Sequence, residues 1–276
     1  MPLTVPAHQT VVLPLKTRWP TRFDGVALCI GSAAPDLAYP LLGRTSHLTP
    51  GLFTWVLPFT VVSCWILRRR ACGTVFACLP DAGMLRLRSY RALALGRPSL
   101  PMTAWSAFVG GASHLMLDSF THSGRWGAHL IGFNRVWFYA PGGYMVTGAR
   151  ALQWFGHTVG SFIGYVMFRH IVAAGHLDRW YGADRVRWAR SVTATPSERR
   201  RFWVVAVAVA VGFMVAYGRA TTHLAIFVGL LACTTGLLVA GCLPSRLRVD
   251  TADRDLPALA SDGSSGAHGT VGGVRE

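Results

Sequence analysis

Long apolar runs separated by basic gaps set the order of this chain. The clearest runs are Gly51 to Leu67, Met102 to Phe120, Ala151 to Phe168, Phe202 to Tyr217 and Leu224 to Cys242. Each is close to the roughly 17 to 25 residues that a membrane helix needs. Asp24 to Leu42 forms a weaker sixth run, broken by small and polar residues. Val204 to Val211 is apolar on every face, with no polar stripe to turn towards water. The pattern predicts an all-α fold: a polytopic integral membrane helix bundle of about six membrane segments.

Composition supports that reading. Hydrophobic residues make up 51% of the 276 positions, charged residues only 14%, and the mean hydropathy is +0.36, which is too apolar for an ordinary soluble domain of this length. The net charge of +15 would suit nucleic acid, but its placement argues for membrane lipid as partner and against nucleic acid. Lys16, Arg18 and Arg22, then Arg68 to Arg70 with Arg86, Arg88, Arg91 and Arg97, then the run ending in Arg199 to Arg201, fall in alternate gaps. The other gaps hold Arg44, then Arg125, Arg135 and Arg150, then Arg219. This alternation follows the positive-inside rule and places a multi-pass protein in a bacterial cytoplasmic (inner) membrane with both termini cytoplasmic. One lysine against 26 arginines is a compositional association with GC-rich bacterial genomes. Met1 to Leu15 lacks the basic start of a cleavable signal peptide. The six cysteines contain no C-x-x-C pair and read as small apolar residues.

Four regions follow: a membrane domain carrying the motifs over residues 1–175, a basic cytoplasmic loop over 176–201, a C-terminal membrane hairpin over 202–243 and a disordered tail over 244–276, polar and rich in Gly and Ser. Within the first, Met84 to Leu95 alternates leucines and arginines loosely enough to suit a helix lying on the membrane surface.

Of the twelve acidic residues, only Asp36 and Asp118 sit well within predicted membrane segments, where an ionisable side chain needs a function or a partner. Asp36 follows Gly31-Ser32-Ala33-Ala34-Pro35, a stretch that would bend the helix towards a cavity or end it in a cap. Asp118 follows His114 by four residues, so both can reach one point on a helix. His122 continues that face, and His47 lies in a short loop near the same span ends; the alternation of spans puts His47 and His122 outside but His8 on the cytoplasmic side. A helix-internal hydrogen bond or packing against another helix would also explain the pair. A divalent metal such as zinc takes imidazole and carboxylate ligands, and His114, Asp118, Asp36 and His47 would supply them, with His8 and His122 as supporting or alternative ligands. Arg125 is placed to clamp an anionic group such as phosphate. His129, His170, His176, His223 and His268 show no partner spacing.

Pro6-Ala7-His8, Ala34-Pro35-Asp36, Thr45-Ser46-His47 and the block Ser113-His114-Leu115-Met116-Leu117-Asp118-Ser119-Phe120-Thr121-His122-Ser123-Gly124-Arg125-Trp126-Gly127 together resemble an uncharacterised bacterial membrane family, domain of unknown function 4184. The order of motifs is also similar to that of bacterial membrane-bound metal-dependent hydrolases. The resemblance covers roughly residues 1 to 175 and implies that Gln153 matches a glutamine of the first family. Ala38 replaces the second aspartate of the hydrolase pattern, which a two-metal site would need, and Leu48 replaces a serine. His157 stands where the first family prefers a small polar residue.

The expectation is an integral membrane protein that binds a divalent metal and hydrolyses a lipid-linked ester or phosphoester, its catalytic residues unassigned. The alternatives are a transporter or proton-coupled channel using Asp36 and Asp118 as relays, and a non-enzymatic membrane assembly protein.

Overall fold

Caps, prolines and glycines set where the helices begin, bend and touch. The computed structural model describes residues 4–81, 85–217, 225–245 and 247–249, and the chain is mostly helical. It opens with α1 (Thr4–Arg18), α2 (Gly25–Leu42) and a 3-10 turn (Gly43–His47). Next comes α3 (Thr49–Cys78), with π-helical turns at Leu52–Val56 and Leu67–Ala71, and a 3-10 segment (Leu87–Leu95). Then follow α4 (Leu100–Thr121), the short α5 (Trp126–Leu130), the antiparallel hairpin β1 (Val136–Ala140) and β2 (Tyr144–Thr147), and α6 (Gly148–Ala173). The remainder is α7 (His176–Tyr181), α8 (Ala183–Ser191), β3 (Val192–Ala194), α9 (Pro196–Tyr217), α10 (Ala225–Cys242) and β4 (Leu247–Val249).

Asp24 caps α2: its Oδ1 accepts from the amides of Val26 at 3.0 Å and Ala27 at 3.3 Å, satisfying donors that a helix start leaves free. Arg68 donates to the same oxygen, and the Thr103 hydroxyl donates to Oδ2 at 3.0 Å. Gly43 ends α2 at φ +57°, a conformation that favours glycine. The side chains of Ser99 and Thr147 cap α4 and α6.

Helices α2 and α4 cross backbone to backbone. A Cβ at Gly31 would stand 2.6 Å from the Ala107 carbonyl oxygen, and one at Gly110 would stand 2.5 Å from the Leu28 oxygen and 2.9 Å from the Ser32 nitrogen. Such close approach is the use of small residues between membrane helices. Gly111 admits Leu52 and Val56 of α3 in the same way, and Gly236 brings α10 against Ala206 of α9.

Helix α1 runs in the same sense as α6. Ala7 packs on Gly160 and Thr10 donates to the Gly160 carbonyl at 2.6 Å, while Leu13 reaches the cluster containing Ile171 and Val172. Lys16 then meets the Pro20 and Phe23 carbonyls beside Asp24. The start of α1 therefore stands at the end of the bundle opposite to Asp24, which the simple alternation of spans behind the expectation of cytoplasmic termini does not anticipate.

Among the described residues three segments are long and apolar enough to cross a membrane: Gly25–His47, Thr49–Cys78 and Pro196–Tyr217. The segment Phe227–Cys242 is apolar but shorter. Helices α4 and α6, at 22 and 26 residues, have the length, and their polar residues lower their hydropathy. The expected surface helix is not found. Leu87–Leu95 instead packs into the bundle: Tyr90 donates to the Phe168 carbonyl at 2.8 Å, Arg91 to the Gly73 carbonyl at 3.1 Å, and Arg190 to the Ser89 hydroxyl at 2.7 Å. An alternation of leucine and arginine satisfies a core whose carbonyls accept from the arginines as well as it would satisfy a lipid surface. Past Pro244, Leu247–Val249 pairs with Val192–Ala194, so the predicted tail keeps one strand. Met84, Arg219, His223, Leu224 and residues 250–276 lie outside the described residues.

The crossing gives a stability prediction. Gly110→Val should destabilise the fold by about 1–3 kcal/mol through overpacking against backbone that cannot yield. Gly156→Ala, where a Cβ meets nothing within 4 Å, should be neutral or slightly stabilising. Thermal unfolding of the two variants in detergent checks the contrast, and equal midpoints would refute it.

Candidate metal centre

The α2–α4 crossing delivers a carbonyl to a buried imidazole. His114, 0% exposed, is held with its Nδ1 2.7 Å from the Ser32 oxygen. A carbonyl only accepts, so Nδ1 carries the proton and Nε2 presents its lone pair to the opposite side.

His47 is set the same way by the turn after α2. The Ser46 hydroxyl donates to the Gly43 carbonyl at 2.9 Å, so its oxygen accepts from His47 Nδ1, also at 2.9 Å. The Nε2 of His47 thereby faces the Nε2 of His114 across 3.3 Å. Two carboxylates close the space. Asp36 Oδ1 lies 3.1 Å from His47 Nε2 and 3.7 Å from His114 Nε2; Asp118 Oδ2 lies 3.6 Å and 3.5 Å from the same atoms. Pro35 and Pro40 flank Asp36 without breaking α2, so its carboxylate belongs to a continuous helix and not to a cap.

Around these four stand the remaining residues. His8 of α1 is buried and stacks on the His114 ring at a centroid distance of 4.1 Å, resolving the topological conflict that the span alternation creates for it. His122 follows α4 and approaches Asp118 Oδ1 with its Nδ1 at 3.5 Å, while Gln153 of α6 donates to its Nε2 at 2.8 Å. Burial lowers the pKa of His122 below the ordinary imidazole value; Asp118 opposes that shift and His47 and Arg125 add to it. Arg125 rests at the rim, donating to the His47 carbonyl at 3.4 Å.

Among the described residues, two groups of three buried side chains could hold a metal ion: His8, His114 and Asp118, and Asp36, His47 and His114, the ligand atoms of each lying within 4.8 Å of one another. Every residue singled out in the sequence for this site is thus within one cluster or at its edge. Ser32 and Ser46 carried no sequence signal, since their part is played by a carbonyl and an accepting hydroxyl. His157, marked in the sequence only by the family resemblance, meets the His8 ring at 6.4 Å, and its Nε2, like His8 Nδ1 and Asp36 Oδ2, is buried without a hydrogen-bond partner. His170 and His176 pair with each other beyond the cluster, against Trp180, and His129 is exposed.

No curated protein and no solved structure matches the chain, so no named relative supports the likeness to metal-dependent hydrolases. The family model described as "Domain of unknown function (DUF4184)" matches residues 1–245, a stretch that includes all of the cluster, and the chain belongs to that family.

Proposed function

We propose that the chain is a multi-pass membrane protein whose His/Asp cluster binds one divalent metal ion, zinc by its donors, for hydrolysis of a lipid-linked ester or phosphoester. One observation carries this. An ion bound at about 2 Å in a tetrahedron leaves its ligand atoms roughly 3.3 Å apart, and the two imidazole Nε2 atoms lie 3.1 to 3.7 Å from each other and from Asp36 Oδ1 and Asp118 Oδ2. Both imidazole protons already face away from that point, towards Ser46 and Ser32.

The membrane reading rests on the three long apolar segments and on α4 and α6, whose 22 and 26 residues make rods of about 33 and 39 Å against a hydrocarbon core of about 30 Å. Arg68, Arg91 and Arg190 gather at the Asp24 end, away from the cluster, so the positive-inside rule turns the cluster to the outer face.

A bound zinc supplies an activated water at neutral pH and a centre that polarises an ester oxygen. The protein's own groups do the rest. Asp36 Oδ2, buried and unpartnered, would be the group to take up a proton at the cluster. Gln153 and His122 position Asp118, and Arg125 holds the anionic part of a phosphoester at the rim.

Metal analysis of the purified protein should give close to one zinc per chain, with most of it lost in His114→Ala; metal-free protein, or an unchanged content in that variant, would overturn the reading. Proton-linked uptake by vesicles that is abolished in Asp118→Asn would favour the transporter instead.

Gln153→Leu leaves the four ligands in place and removes the donor that orients His122. Its zinc affinity should fall about 10- to 100-fold, as read by competition with a coloured chelator, and wild-type affinity would remove Gln153 from the site.

With long-chain p-nitrophenyl esters and phosphoesters as substrates, Arg125→Ala should raise KM for the phosphoester and leave the neutral ester unaffected. Equal effects on both would deny it the role of anion clamp.

A further inference from the structure

Below the cluster the bundle is hollow. One cavity of about 420 Å³ lies beside the start of α2, walled by Val26, Phe76, Ile171 and Trp180. A second of about 360 Å³ reaches upward to Gln9, Ala33, Leu37 and Leu230. Cys29, Ile30, Leu67 and Phe168 belong to both walls, so the two cavities abut along α2. Each falls within the roughly 300–1,000 Å³ of small-molecule sites.

The space follows a single stripe of α2. Val26, Cys29, Ile30, Ala33 and Leu37 recur at three- and four-residue intervals and so line one face over about 17 Å of helix. Its upper end reaches the level of the metal centre along the helix axes: Leu37 is one residue beyond Asp36 on α2, and Gln9 one beyond His8 on α1. Gln9 is itself buried, donates to the Cys29 carbonyl at 3.2 Å, and keeps an Oε1 with no partner. The lower end is floored by Lys16, whose ammonium is committed to the Pro20 and Phe23 carbonyls and lies 5.1 Å from the centre of the Trp180 ring. No free charge remains there to receive a head group.

We propose that this channel holds the hydrocarbon chain of an amphiphile whose polar head sits at the His/Asp cluster, so that the substrate is a single-chain lipid ester or phosphoester. The placement of the head rests on the metal-centre reading above; the chain site rests on the cavity. The apolar stripe of about 17 Å is long enough to lie along an extended hydrocarbon chain. The channel walls are almost wholly apolar, Gln9, Ser63 and Thr234 supplying the polar side chains of the upper part.

The test uses full-length zinc-loaded protein in detergent and hexadecyl phosphate brominated at the chain end, read by quenching of Trp180 as the difference from Trp180→Phe. Quenching is expected, with affinity at least tenfold weaker for octyl phosphate. Ala33→Phe and Cys29→Phe, which fill the bore, should each lose at least tenfold while retaining zinc, and that zinc shows that they fold. Full zinc occupancy with no quenching of Trp180, or plugged variants that bind like the wild type, would overturn the channel and leave the metal reading standing. Chain binding unchanged in zinc-free His114→Ala would keep the channel and overturn the placement of the head. A stable dimer that hexadecyl phosphate does not enter would assign the cavity to a second copy of the chain and overturn the proposal.

Discussion

Everything at the cluster depends on the bond from His114 Nδ1 to the Ser32 carbonyl. It can form only because Gly31 and Gly110 let α2 and α4 meet backbone to backbone, and it decides which nitrogen of a fully buried ring faces the carboxylates. In a low-dielectric interior an imidazole without that anchor would rotate to serve its own donor, and the lone pair would be lost as a ligand. A glycine contact on one side of a helix thus sets the chemistry available on the other.

The same two helices are tied again at their far end. Asp24 of the α2 cap receives Thr103 of α4 and Arg68 of α3, and its amide donates to Ser106 at 2.8 Å. The pair is therefore pinned by polar groups at both ends with apolar packing between. Buried ion pairs are weak sources of stability because desolvation offsets attraction, but they specify register well. Here register matters, because a shift of one residue along α2 would carry Asp36 about 100° away from His47.

How much of this could be read from residues alone follows from the kind of interaction. His114 and Asp118 announce themselves by four-residue spacing in an apolar run, and Asp36 by being the other carboxylate in one; the cluster brings them together with His47. Ser32 and Ser46 act through atoms that every residue, or every hydroxyl, possesses, so no pattern marks them. His8 posed a conflict of sides, removed by the direction of α1, since a short helix returning into the bundle leaves no trace in hydropathy. The segment from Leu87 packs into the bundle and not onto a lipid surface, a difference that no pattern marks because burial against carbonyls and burial in a lipid surface demand the same alternation. The span count suffers for a related reason: α4 and α6 carry His114, Asp118, Gln153 and His157, and the helices that bear the chemistry are the ones whose apolar signal it erodes.

Charge balance is the last constraint on what the cluster holds. Asp36 and Asp118 bring two carboxylates into a buried site, and the Nε2 atoms of two imidazoles face each other there, 3.3 Å apart. A single proton placed on either Nε2 could serve one or two of these acceptors and would leave the others opposed to one another. Protons on both would neutralise the carboxylates but would set two N–H groups head to head. One divalent cation held by these residues would offset both carboxylate charges and use the imidazole lone pairs as ligands, which is the usual condition for keeping carboxylates buried.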